Sequence, residues 1–412
     1  MKLPETLYLR HKYLRRIEPF IGKSIIKILT GQRRVGKSFL IFQLIQHLRE
    51  LNEDANIIYI NCEDLDFSFI RNGKELNTYI LSKWKEGVTN HIFIDEIQEI
   101  EEFEKTLSSL LLKPGNDIYL SFNNAGILHG EFANLLIGKF VEFPVYSLSY
   151  PEFLQFHQKE NTTDNFRLYC RYGGLPFLYH LKLNDEVAWE YLKNLYTTII
   201  FRDVVIKNNI SNNLIFDRFV KYIADNSGSP FFPKKIGDFI SSKRISDYLK
   251  RQQAVISSVQ IQKYTNHLAD SFLIKKVNRL DIVSGKELEN GEKYYFDNIG
   301  IRNAIAGFKA TEKAKIYQNI VFNHLQYLGF EVKSGVFSGN EVDFVASRMN
   351  EKMYLMITGN IEDQKSFEKE FGFLLKIKDN YPKWVITEND FGGNSLDGIK
   401  IISLRDFLML DI

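Results

Sequence analysis

The sequence predicts a multidomain chain of α/β class, with a parallel-sheet domain first, a helical middle, and a second, smaller α/β unit at the end. Three observations carry that reading. At 412 residues the chain exceeds one ordinary domain. Hydrophobic residues at 44% and charged residues at 25% give the balance of a globular protein and exclude wholesale disorder. Short apolar runs alternate with amphipathic stretches up to Leu154, and a similar alternation resumes near Gly300.

The first strand is Ile25-Ile26-Lys27-Ile28-Leu29-Thr30, a mostly apolar run that stops at Gly31. The stretch from Ser38 to Glu50 places Ile41, Leu44, Ile45 and Leu48 on one helical face. Four more short apolar runs follow: Ile57–Ile60, Ile92–Asp95, Ile118–Ser121 and Phe140–Phe143. Their brevity and apolarity suit strands covered by helices on both faces, and the segments between them are long enough for crossovers. From Asp164 to Ile210 the pattern turns helical, broken once at Gly173-Gly174-Leu175-Pro176. Between Asn213 and Phe296 short helices precede two strands, Leu273–Val277 and Lys293–Phe296, which flank the turn residues Ser284-Gly285 and Asn290-Gly291. That is the sequence trace of a winged helix-turn-helix. The last segment opens with a helix through Ile316, Ile320 and Leu325, followed by strands at Phe330–Val332, Glu341–Val345 and Tyr354–Ile357.

Composition excludes several function classes. Lysine plus arginine number 53 against 51 acids, a formal net charge of +2, so any nucleic-acid surface must be a local patch. Cys62 and Cys170 are too few for a disulfide framework or a zinc knuckle and read as reduced thiols. His91, His129 and His324 show no ligand spacing, which argues against zinc. The opening residues lack a signal-peptide core, and no run approaches the roughly 20 apolar residues that span a bilayer. The expectation is a cytoplasmic protein with no membrane partner.

Chemistry concentrates at Gly31-Gln32-Arg33-Arg34-Val35-Gly36-Lys37-Ser38, which satisfies G-x-x-x-x-G-K-[ST] between an apolar strand and an amphipathic helix. The glycines let successive N–H groups face phosphate oxygens, and the first helical turn, through Phe39, adds its positive dipole end. Lys37 is placed to bridge β- and γ-phosphates, and Ser38 to offer a hydroxyl to Mg²⁺. A second piece is His91-Ile92-Phe93-Ile94-Asp95-Glu96, an apolar strand ending in two carboxylates. Asp95 would hold Mg²⁺ through a water, and Glu96 would polarise the water that attacks the γ-phosphorus. The pair predicts Mg²⁺-dependent ATP binding and hydrolysis.

These motifs, with Ser121–Ala125, Leu136–Phe140 and Ser147–Leu154, resemble in their order a group of bacterial and archaeal AAA-type ATPases that pair an AAA domain with a C-terminal domain of unassigned function. Tyr172–Pro176, Arg202-Asp203-Val204 and Glu341–Phe344 match the same group. The resemblance implies that Asn124 senses the γ-phosphate, with Asn123 as a substitute, while Asn-Asn-Ala-Gly also reads as a turn. It implies a charge-neutralising cation at Lys139, where the group usually has arginine; lysine keeps the charge and loses the bidentate fork. Lys139 also reads as a solvated strand entry. Arg202 is the other candidate, or a salt-bridge partner of Asp203. Glu63 follows a strand near the nucleotide, a place from which it could couple binding to motion, and by default reads as a surface acid.

In the middle segment the candidate recognition helix runs from Ser257 to Asp270, capped by Ser257 or Ser258. Val259, Tyr264 and Leu268 are expected in its core face, with Gln260, Gln262, Lys263, Asn266 and His267 outward. Lys243, Arg244, Lys250, Arg251, Lys275, Lys276 and Arg279 complete a basic cluster suited to duplex DNA, although winged helices also pack on proteins. The C-terminal part resembles a PD-(D/E)XK nuclease-like core, with Gln318 at the helix acid position, Glu341 and Asp343 on one strand face, and no Glu-x-Lys in Tyr354–Thr358. A scaffold that has lost cleavage is expected, serving structural support or partner binding.

The expected domains are thus an AAA-type ATPase domain (1–160), a helical connector (161–212), a winged helix-turn-helix (213–298) and a degenerate nuclease-like domain (299–412). The expected function couples nucleotide state to rearrangement of the later domains, with a homo-oligomer or protein partner open. Two alternatives stand beside it, an ATP-regulated DNA-binding protein with little turnover and an ATP-regulated metal-dependent nuclease.

Overall fold

The computed structural model describes residues 8–128, 131–241, 256–359, 364–388 and 395–410. It divides into two compact units. The first runs to Tyr146 and also takes in the distant tripeptide Asp270–Phe272, and the second holds the rest.

Within the first unit, β1 (Ile26–Thr30), β2 (Asn56–Asn61), β3 (Asn90–Asp95), β4 (Asn116–Phe122) and β5 (Phe140–Pro144) form a sheet in the order β2-β3-β4-β1-β5. Every pairing is parallel. The expected strands are all present: β1 starts one residue later than its apolar run, and the other four extend one to three residues beyond theirs. Helices α1 (His11–Ile17), α2 (Lys37–Leu51), α3 (Gly73–Lys83), α4 (Phe103–Leu111) and α5 (Glu131–Leu136) accompany them. Alternation sorts the sheet faces. Ile26, Ile28, Ile58, Ile60, Ile92, Ile94, Ile118 and Leu120 share one face and pack with Leu76 and Ile80 of α3, Leu107 of α4 and Phe132 of α5. Lys27, Tyr59, Phe93 and Tyr119 project from the other, where Phe42 of α2 meets the Tyr59 ring at 5.6 Å.

A buried polar cluster sits at the entry edge of this sheet. Asp117 accepts hydrogen bonds from His91 Nδ1 (2.7 Å), Tyr119 OH (2.9 Å), the Gly22 N–H (3.0 Å) and the ammonium of Lys27. Burial alone would raise the Asp117 carboxyl, but the bonds from His91, Lys27 and Gly22 hold it below the usual range. The cluster fixes the starts of three strands from within.

The second unit opens with α6 (Tyr150–Phe156), α7 (Thr163–Tyr172) and α8 (Asp185–Thr198), the last continuing into a π-helical turn at Ile199–Ile206. Next come α9 (Asn213–Asp225), α10 (Pro233–Ser241), α11 (Ser258–Asp270) and the hairpin β6 (Ile274–Asp281) and β7 (Glu287–Phe296). Then follow α12 (Ile299–Ala306), α13 (Lys313–Leu328), β8 (Glu331–Phe337), β9 (Asn340–Arg348), β10 (Glu351–Ile357), α14 (Gln364–Phe371), β11 (Lys383–Thr387), β12 (Ser395–Leu396), β13 (Ile399–Ser403) and α15 (Leu404–Phe407).

Its mixed sheet has the order β12-β13-β11-β10-β9-β8-β6-β7. Here the structure departs from the sequence expectation. The hairpin expected as the wing of a separate 213–298 domain pairs in parallel with β8, matching Arg279 to Ser334 and Asp281 to Val336. One ladder therefore crosses the 298/299 boundary, because β6 extends four residues past the run expected to end at Val277 and reaches β8 with that extra length. Among the described residues no helix is long and apolar enough to cross a membrane.

Candidate functional site

Strand β1 delivers the chain to Gly31, whose φ is +146° and whose position leaves no room for a side chain. An ideal Cβ there would lie 2.2 Å from the Val145 carbonyl oxygen. Gly36 takes φ +100° at the N-cap of α2, and Lys37 begins the helix. The loop therefore has the strand–turn–helix setting that the motif requires. Lys37 is buried, and its Nζ donates to the carbonyls of Gly31 (3.1 Å) and Gln32 (3.3 Å), inside the mouth of its own loop. Arg33 reaches out instead to Glu63 (3.2 Å), so Glu63 pairs with the loop itself.

Strand β3 brings the two acids to this mouth. Asp95 is 1% exposed and accepts hydrogen bonds from the Ser121 hydroxyl on the neighbouring β4 and from Ser38. Burial raises its carboxyl, while those two hydroxyls and Lys37 pull it back. Glu96 adopts a left-handed backbone (φ +57°) with its N–H on Ser121 Oγ at 3.0 Å. That turn swings its carboxylate off the strand line to 3.6 Å from Lys37 Nζ, and Gln98 Nε2 holds the other oxygen at 2.6 Å.

Lys37, Ser38, Asp95 and Glu96 thus converge as the sequence places them. Ser121 and Gln98 complete the set; their roles were not read from sequence, although alternation along β4 and the i+2 spacing after Glu96 were available signals. The buried Asp95 carboxylate and the Ser38 hydroxyl beside it offer hard oxygen donors that fit Mg²⁺.

Asn123 and Asn124 follow β4, both nearly buried. Among the described residues Asn123 Nδ2 is buried with no hydrogen-bond partner, and Asn124 O accepts from the Ile127 N–H at 3.3 Å, as in a turn. Lys139 is exposed and immediately precedes β5, its carbonyl accepting from the Ile26 N–H at the start of β1. Because β1 and β5 are parallel, Lys139 lies at the opposite sheet edge from the loop, roughly 15 Å along the strands. Arg202 lies in the second unit, within the π-helical turn.

In the second unit Ser257 Oγ caps α11 by accepting from the Gln260 N–H at 3.1 Å. Ile261, Tyr264, Thr265 and Leu268 are buried, whereas Val259, expected in the core face, is 64% exposed. Gln262, Lys263 and Asn266 are exposed; Gln260 and His267 are half-buried. Two of the expected basic residues serve internal partners: Lys275 pairs with buried Asp297 (3.3 Å) and Arg279 with Glu341 (3.4 Å). Lys243, Arg244, Lys250 and Arg251 lie outside the described residues.

Of the three residues expected at a nuclease-like core, Gln318 and Asp343 meet. Gln318 Nε2 donates to Asp343 Oδ1 at 2.8 Å, and the Ile357 N–H to Oδ2 at 2.7 Å. Burial pushes the Asp343 carboxyl up to about 6. Glu341 is held by Lys293 (3.2 Å) and Arg279, so cations from the hairpin occupy its oxygens. Lys293, 2% exposed, reads from sequence only as the first residue of a strand and reaches Glu341 from β7.

The sheet and its loop define a P-loop, AAA-type ATP-binding protein. A family model described as an AAA domain matches residues 23–154, and a domain of unknown function (DUF8612) matches residues 163–312. The chain is 30% identical over 416 residues to an uncharacterized protein of Haemophilus influenzae, with 99% of this chain and 100% of that protein aligned. It belongs to the family that includes that protein. Uncharacterized protein MJ1544 of Methanocaldococcus jannaschii is 28% identical over 400 residues, covering 92% of this chain and 85% of the relative. Among solved structures, the Aeropyrum pernix ORC1 protein in complex with DNA aligns at 12% identity and a TM-score of 0.33, over 74% of this chain and 94% of that one. A likeness that low carries no functional argument.

Proposed function

We propose that the protein binds Mg²⁺-ATP at the loop Gly31–Phe39 and hydrolyses it. The observation that carries this reading is the convergence of Lys37, Ser38, Asp95 and Glu96 at one mouth, with Lys37 Nζ resting on carbonyls that a phosphate chain would replace. Main-chain N–H groups of the loop and the N-terminus of α2 bind the phosphates. Lys37 moves from the Gly31 and Gln32 carbonyls to the β- and γ-phosphate oxygens. Asp95 and Ser38 would hold Mg²⁺, which when bound neutralises phosphate charge. Glu96, kept in place by Ser121 and Gln98, orients the attacking water and takes up its proton. Asn124 was the expected phosphate sensor, but the unpartnered amide of Asn123 supports Asn123 in that role. The sheet-edge position of Lys139 supports a role toward the nucleotide of a second copy, in a homo-oligomer, and not toward its own.

The test is γ-phosphate release by the purified protein and its Glu96→Gln variant, with and without duplex DNA. Retained ATP binding with turnover lowered by about 100-fold or more supports Glu96 as the base. Equal turnover by both proteins removes it from that role. A second reading, an ATP-regulated DNA-binding protein, is favoured by the exposed polar face of α11 together with Lys276. A metal-dependent nuclease is disfavoured, because Lys293 and Arg279 already neutralise Glu341.

A further inference from the structure

We propose that Arg10 is a positioning residue for the phosphate-binding loop, a role that rests on the nucleotide reading above. Arg10 precedes α1 and lies far from the loop in sequence, yet it is only 3% exposed. Its Nη1 donates to the carbonyl of Val35 at 3.3 Å and to that of Tyr146 at 3.0 Å. The guanidinium stacks over the Tyr13 ring, 4.4 Å from its centroid, and the Tyr13 hydroxyl accepts from the Tyr146 N–H at 3.0 Å. Gln43 of α2 fixes the backbone at this point. Its Oε1 accepts from the Arg10 N–H (3.0 Å), and its Nε2 donates to the Tyr8 carbonyl (2.9 Å).

The consequence follows from peptide geometry. The Val35 carbonyl and the Gly36 N–H belong to one planar, trans unit, so they point to opposite sides and turn together. Holding the carbonyl oxygen from behind therefore aims the Gly36 N–H forward. Gly36, at φ +100° and without a Cβ, offers little steric resistance to a swivel of that unit. On its other flank the loop is pinned by the Val145 N–H on the Thr30 carbonyl at 2.7 Å, one residue before Tyr146. Arg10 thus spans from the loop to the segment that backs it. Its task is to keep an anion-binding amide oriented before the anion arrives, which lowers the ordering cost of binding.

The experiment compares the full-length parent with Arg10→Gln, Arg10→Lys and Tyr13→Phe. ATP affinity is measured by calorimetry well below each protein's melting transition, and melting is recorded without nucleotide. Arg10→Gln is expected to weaken ATP by about 10- to 100-fold, with partial recovery in Arg10→Lys and a smaller loss of the same sign in Tyr13→Phe. If the parent binds ATP and the folded variants bind within about twofold of it, Arg10 is only structural and the inference fails alone. If Arg10→Gln does not fold, the other two variants decide by the same criterion. If the parent itself binds no ATP, the nucleotide reading fails and takes this inference with it.

Discussion

Two carboxylates on different strands show how position sets charge. Asp95 and Asp343 are both buried, and burial raises both. Asp95 is answered by hydroxyls and Lys37, whereas Asp343 receives only neutral donors directly. With its pKa at about 6 against an ordinary 3.8, the folded protein keeps the Asp343 proton through a pH window in which the unfolded chain has released it. The stability this carboxyl contributes is therefore full below that window and is lost as pH rises through about 6. Asp343→Asn should erase that slope and raise stability at pH 7.5 by no more than about 3 kcal/mol, read as urea midpoints at pH 5 and 7.5. A steeper slope in the variant would contradict it. At the nucleotide site, Lys37→Ala should abolish measurable ATP binding while leaving the melting transition within a few degrees, because the lysine reaches only loop carbonyls and Glu96. The residues proposed to handle phosphate could be picked out because fixed spacing along the chain places them. Ser121, Gln98 and Arg10 were not, since each acts on a residue that local pattern does not pair with it.

At the level of elements, alternation located the strands but not every partner. The five parallel strands read correctly because each run is short and mostly apolar, as strands covered by helices require. The hairpin β6–β7 read as a wing because its turn is local, whereas its ladder with β8 joins residues separated by β7 and two helices. In α11 the buried face is Ile261, Tyr264, Thr265 and Leu268, spaced three, four and seven apart; Val259 falls outside that stripe. These placements separate two kinds of lysine. Lys263 and Lys276 are exposed, and under the DNA-binding reading their double alanine variant should weaken duplex binding at all sequences and reduce the salt slope by about two. Lys275→Ala should instead cost about 3 kcal/mol of stability, because it strands the buried carboxylate of Asp297. A salt series on binding and a denaturant series on folding distinguish the outcomes.

For the molecule as a whole, the proposed role of Lys139 toward a second copy's nucleotide would make self-association a variable of activity. If a neighbouring copy supplies that charge, phosphate release per chain should rise with protein concentration, and Lys139→Ala should flatten the rise. A rate per chain that is independent of concentration would count against the shared site. The chain leaves the nucleotide-binding unit after Tyr146 and re-enters it for three residues, Asp270–Phe272, where the Gln32 side-chain amide donates to the Phe272 carbonyl at 3.3 Å. Gln32 is the second residue of the phosphate loop, so part of the loop's backing is written more than two hundred positions downstream. A shortened chain that stops at Tyr146 would carry every signature residue and still lack that support. It should melt earlier than the same unit within the intact protein and hold ATP less tightly.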